Sequence, residues 1–214
     1  MKRMLFLLII VMSPFIAIAQ DDEIRPFLLP EFEKGLVTLK SGLTKLSALL
    51  NYDMVEERMI YMLPDSSFNE LDARNVSLVN VSGRIFVPIK KSFYERILVD
   101  NEEYYIAHKC KVLSKGRAAG YGTYSQTASI RGMVIPNSSG VSYMLASNEL
   151  FEGIDETVVL VKNGNKYVKI TSLKVLVKQF LPHKAKVEAY AKENKINFKK
   201  ANQVRAIVEY AYSL

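Results

Sequence analysis

Two side chains in the middle of this chain, His108 and Cys110, are of the types that make a base and its nucleophile. Such a pair works when the imidazole hydrogen-bonds the thiol and a third group orients the ring. The surrounding sequence alternates as a strand does, which puts His108 and Cys110 on one face with Tyr104, Ile106 and Val112. Neighbours at that spacing stand about 6.5–7 Å apart, too far for the bond the chemistry needs. The expectation is therefore a buried cysteine beside a histidine whose polar needs are met locally. A hydrolase built around His108 ranks behind two binding readings.

The other candidates exclude more than they suggest. Only His108 and His183 are present, so an imidazole-rich metal site is ruled out, and no HExxH or CxxC spacing occurs. Ser125, Ser129, Ser138 and Ser139 have no histidine nearby and no G-x-S-x-G elbow. Glu56-Glu57 and Glu102-Glu103 are adjacent pairs, which fall on opposite strand faces or in turns and read as solvated charge. No catalytic set, metal or cofactor is expected.

Ser114 to Thr123, SKGRAAGYGT, reads as the clearest loop in the chain. It lacks the Gly-Lys-Ser/Thr ending of a phosphate loop and the G-x-G-x-x-G order, so nucleotide binding is not expected. Around it, Arg117, Tyr121, Tyr124 and Arg131 offer stacking faces and forked donors of the kind interfaces use. They are the candidate partner-binding residues. The plain alternative is a loop whose tyrosines pack on a sheet edge.

Charge is divided unevenly. Of the net charge of +7, residues 20–170 contribute −1, while residues 171–214 hold nine basic against three acidic residues. Lys174, Lys178, Lys184, Lys186, Lys199 and Lys200 make this tail a second candidate surface, for an anionic membrane or glycan. Nucleic acid is disfavoured because the lysines are scattered singly.

The elements that must position these residues follow from periodicity. Met1–Ala19 has a basic start, an apolar Leu5–Met12 run and an Ala17-Ile18-Ala19 end, the pattern of a cleaved signal peptide. Residues 20–34 form a proline-punctuated lead-in expected to lie on the domain through Phe27, Leu28 and Leu29. Residues 35–170 are the β-rich domain. It opens strand–turn–strand, with Val37, Leu39, Leu46 and Leu49 as apolar positions and a second turn at Asn51-Tyr52-Asp53.

A strand is expected from Glu57 to Met62, and a three- or four-stranded centre from Asn75 to Leu113. In its last strand the face with Tyr105, Ala107 and Lys109 is expected to be the wetter one. Further strands are expected at Tyr124–Val134 and Val141–Leu145, and a hairpin turning at Asn163-Gly164. Residues 171–214 then switch to helical spacing. Ser172 or Thr171 caps a first helix, Pro182 opens a second, and Val204, Ile207, Val208 and Ala211 define a third. The fold class is α+β: an antiparallel meander, sandwich or open barrel followed by a small bundle of about three helices.

Two stretches carry a family resemblance. Gly35–Gly42 with Leu50-Asn51-Tyr52-Asp53, followed by Phe86-Val87-Pro88, resembles the start of uncharacterised secreted proteins of Bacteroidetes-type Gram-negative bacteria. Glu193–Lys200 with Val208–Tyr210 resembles their C-terminal helices. The resemblance implies a periplasmic or cell-envelope location and carries no activity and no site residues. With a single cysteine, the fold rests on packing rather than disulfides. The expectation is thus an exported, non-enzymatic β-rich binding or envelope-structural protein, with an unidentified protein or glycan partner.

Overall fold

The computed structural model describes residues 27–41, 45–119, 123–125 and 149–214. Met1–Ala19, Gly42, Tyr121, Arg131 and the expected Val141–Leu145 strand lie outside the described residues.

Two four-stranded antiparallel meanders and a hairpin make one ten-stranded sheet. The first is β1 (Glu33–Leu39), β2 (Lys45–Asp53), β3 (Arg58–Met62) and β4 (Phe68–Glu70). The second is β5 (Val76–Val81), β6 (Arg84–Ile89), β7 (Ser92–Val99) and β8 (Glu102–Ala107). They join where β5 pairs with β1, so the order runs β4-β3-β2-β1-β5-β6-β7-β8. The hairpin β12 (Val158–Asn163) and β13 (Lys166–Lys169) extends it beyond β8. Between them the chain leaves the sheet as β9 (Cys110–Ala119), β10 (Thr123–Ser125) and β11 (Glu149–Asp155), a separate three-stranded arm.

Tight turns set the register of the second meander. Ser82-Gly83 and Asp100-Asn101 join their strands with both residues at positive φ, the hairpin geometry that follows strand twist. The last hairpin turns on Gly164-Asn165, with φ +57° at Gly164, one residue later than the sequence suggests. Glycine takes the first central position of such a turn at no steric cost.

One glycine is required for space rather than for φ. At Gly35, between β5 and β2, a Cβ would stand 2.6 Å from Leu50 Cδ1 and 2.7 Å from the carbonyl oxygen of Asn80. The side chain could move; the backbone oxygen could not without breaking the ladder. Gly35→Ala is expected to cost about 1–3 kcal/mol, the range for overpacking a filled site. Urea unfolding measures it, and a midpoint equal to the parent's would show that β1 can shift.

Several expectations are corrected by the packing. Asn51, Tyr52 and Asp53 are the end of β2, not a turn, and the turn is Met54–Glu57. Asp53 closes that turn by accepting from the N–H groups of Val55 and Glu56. Leu46 and Leu49 are exposed at 47% and 38%, while Leu50 and Tyr52 are buried, so the inner face of β2 is carried by its second half. The strand expected through His108 to Leu113 ends at Ala107. There β12 stops pairing with β8, and Cys110 starts β9 by donating its N–H to Met54. Tyr105 and Ala107 are buried against Ile89 and Leu160, so the supposed wet face of β8 packs in a small apolar cluster of its own. The loop expected at Ser114–Thr123 is strand as far as Ala119. Its pairing with β11 absorbs the glycine sequence by a register shift between Leu150 and Phe151.

The helices are α1 (Leu173–Gln179), α2 (Lys184–Glu193) and α3 (Ala201–Tyr212), as the spacing predicts. Ser172 caps α1, and Val204, Ile207, Val208 and Ala211 are the buried stripe of α3. These helices share one core with Tyr104, Ile106, Val159 and Val161. A second core gathers Val37, Leu50, Tyr52 and Met59 of the first meander with Phe86 and Phe93 of the second. Among the described residues no helix is long and apolar enough to cross a membrane.

Candidate functional site

The seam between these two cores holds a buried carboxylate–imidazole pair, Glu95 and His108. Strand β7 presents Phe93, Glu95 and Ile97 on one face. Phe93 belongs to one core and Ile97 to the other, and the carboxylate lies between them. A buried carboxylate must be paired, and Glu95 has two partners. Its Oε2 lies 2.6 Å from Nε2 of His108 and 3.2 Å from Nη1 of Arg84 on β6. Pairing of Phe86 and of Ile106 with Glu95 brings β6 and β8 to either side of it. Arg84 shares the phase of Phe86, and His108 that of Ile106.

The His108 ring is packed as well as bonded. It lies edge-on to Tyr52 at 6.2 Å and tilted to Phe86 at 6.3 Å. The Tyr52 hydroxyl is buried and has no partner among the described residues, so this aromatic layer is held by packing. Glu95 takes one imidazole nitrogen; Nδ1 has no partner among the described residues. An imidazole oriented by a carboxylate, with its second nitrogen free, can accept or deliver a proton or bind a donor.

Above this pair opens a cleft of about 550 Å³. Ile106 and Val159 line it from the sheet, and Phe27, Leu28, Pro30 and Met54 form an apolar wall. Asp155 and Thr157 come from the end of the arm, and Ala201, Asn202 and Arg205 from the start of α3. Arg205 is fixed by Nε donating to Glu209 at 2.8 Å, and Glu209 accepts from the Tyr104 hydroxyl at 2.6 Å. The apolar wall is a strap clamped by one side chain. Buried Asn51 accepts from the N–H groups of Leu29 and Tyr52 and donates to the carbonyls of Leu29 and Glu31. The described part of the lead-in, from Phe27, therefore does lie on the domain, with Leu29 buried.

Burial pushes the Glu95 carboxyl up, but the hydrogen bond and charge of His108, with Arg84 and Arg205, outweigh it and hold it below its ordinary value of 4.5. A depressed carboxyl contributes stability that is fully present above its unfolded value and is lost as pH falls through the folded one. The parent should therefore lose stability on acidification below pH 4.5, and Glu95→Gln should flatten that limb. Urea midpoints across the acid range test this; parallel profiles would remove Glu95 as the titrating group.

Cys110 does not join the site. It is buried, burial pushes its thiol up, and it is not among the cleft's lining residues. Arg117 pairs in register with Ser125 and Tyr124 with Ala118, on the arm. Lys174, Lys178, Lys184, Lys186, Lys199 and Lys200 are all exposed. Among the described residues only Lys184 of these has a carboxylate partner, Glu188 at 3.9 Å. No group of three metal-binding side chains converges among the described residues.

The sequence reading missed Glu95, Arg84, Arg205 and Asn51. A signal existed for the first two: each is a charged residue in phase with an apolar strand face. No family model matches the chain, and neither a curated protein nor a solved structure is similar to it.

Proposed function

We propose that this is an exported, non-enzymatic binding protein of the cell envelope, and that its ligand is a small molecule seated in the cleft between sheet and α3. The observation that carries this reading is the cleft itself. At about 550 Å³ it falls in the size range of small-molecule sites, with an apolar wall and a few polar groups converging on it. Nucleophilic hydrolysis is less well supported. Among the described lining residues Thr157 is the one hydroxyl or thiol side chain, and its Oγ1 already accepts from the N–H of Lys109.

Native mass spectrometry of the protein recovered from envelope extract tests the proposal. A non-covalent small molecule is expected on the parent and not on Asn202→Trp, which places an indole at the cleft from the exposed first turn of α3. Recovery of the bare chain mass from both, or of the same adduct on both, overturns it.

The exposed lysines favour a second reading, docking on an anionic surface. Truncation at Ile170 is no test of it, because the helices complete the core over β8 and β12. Replacing the six lysines by glutamate leaves that core intact. Loss of salt-sensitive flotation with phosphatidylglycerol vesicles would support docking; unchanged flotation, or none by the parent, would remove it.

A further inference from the structure

We propose that the cleft takes a small monoacid with an apolar body, its carboxylate or phosphate head held between Arg84 and Arg205. This rests on the cleft being a ligand site, and it names what the site selects.

The two guanidinium groups reach the cleft from opposite elements, Arg84 from β6 and Arg205 from α3. Each is tied to a carboxylate at one nitrogen, and Arg205 also lies beside the Tyr104 hydroxyl. Arg84 gives Nη1 to Glu95, and Arg205 gives Nε to Glu209. Their side chains remain 39% and 49% accessible. Those anchors hold the forks in place before a ligand arrives, so less side-chain entropy is lost on binding. The first turn of α3 adds to the same locus. Lys200, at its start, makes no side-chain cap, and the N–H groups of Ala201 and Asn202 have no partner among the described residues. Unpaired first-turn N–H groups carry partial positive charge.

The carboxylates that line the cleft are each tied at one oxygen. Oε2 of Glu95 takes both Arg84 and His108, and Oδ1 of Asp155 accepts from the N–H of Thr157. Among the described residues the two guanidinium forks and the first-turn N–H groups still offer more donors than the remaining carboxylate oxygens and Nδ1 of His108 offer acceptors. The site therefore calls for a ligand rich in acceptors. Glu95 and Asp155 also limit the charge it accepts, because they offset the two arginines. A single acid group is thus held by the guanidinium donors rather than by surplus charge, and a polyanion would meet the carboxylates. Phe27, Leu28, Pro30 and Met54 would cover an apolar body beside that head.

Titration with decanoate, decyl phosphate and 1-decanol, followed by amide NMR shifts, tests the inference. At least one of the acids is expected to bind with shifts at the cleft, and decanol about tenfold more weakly or not at all. Arg84→Gln and Arg205→Gln should each weaken the acid about tenfold without changing any decanol binding. Arg205 is half-exposed and bonds Glu209 rather than Glu95, so its variant remains informative even where Arg84→Gln disturbs Glu95. Binding of decanoate alone assigns a carboxylate head, and of decyl phosphate alone a phosphate. Equal binding of decanol at the cleft, indifferent to both arginines, overturns the acid head and leaves the cleft as a ligand site. No binding, or shifts confined elsewhere, overturns both.

Discussion

Asn51→Ala is expected to lower the unfolding free energy by about 3–5 kcal/mol, since buried main-chain groups left unpaired cost roughly 1–3 kcal/mol each. The alanine strands the N–H and carbonyl of Leu29, the N–H of Tyr52 and the carbonyl of Glu31 at once. It leaves the main-chain bond from Leu28 to Tyr52 and the apolar contact of Leu29. The strap should therefore loosen before the sheet does, removing the wall made by Phe27, Leu28 and Pro30. Denaturant melts read the stability, and limited proteolysis at residues 27–32 reads the strap. If the variant melts like the parent and its strap resists cleavage, Leu29 packing alone holds the segment. Asn51→Asp keeps the acceptor but loses the donor and is expected to fall between the two.

The second large effect separates what the buried pair does for the fold from what it does for the site. Glu95→Ala leaves His108 and Arg84 without their shared carboxylate and is expected to cost about 3–5 kcal/mol, as removal of one partner of a buried pair does. The double change Glu95→Leu with His108→Phe replaces the pair by apolar bulk. It should return to within about 1–2 kcal/mol of the parent, because apolar replacement of a buried pair is often neutral. The double variant should nonetheless lose the cleft's ligand. A double variant that is stable and still binds would make the pair a packing feature only. A double variant as unstable as Glu95→Ala would show that the seam tolerates no repacking.

The helical part was the most legible region. A four-residue stripe at helical spacing, a serine cap and a proline at a helix start are local signals, and each acts within one element. The turns at Ser82-Gly83 and Asp100-Asn101 were legible for the same reason. The misreadings share a different cause. Asn51 and Asp53 are turn formers by type, yet in the fold their side chains serve backbone elsewhere: one holds the strap and the other closes the next turn. Gly116 reads as a loop residue until β11 arrives from beyond residue 148 to pair with it. Arg205 reads as a solvated charge on a basic helix, and only the folding of α3 over β8 brings it to Glu95's neighbourhood. The site was illegible because its residues come from six elements and no two of its key charges are neighbours in sequence.

That dispersal also orders events in time. The first meander and β5–β8 close through hairpins between consecutive strands, contacts of short sequence separation that form early. β12 must find β8 across the whole arm, with Val158 opposite Ala107, and Tyr104 meets Glu209 only after α3 has docked. Loop closure over such separations is slow. The sheet's first eight strands should thus be in place while the cleft is still missing one wall. Ligand competence becomes the last property the chain acquires, and a ligand that binds there would pull the final docking step forward by mass action.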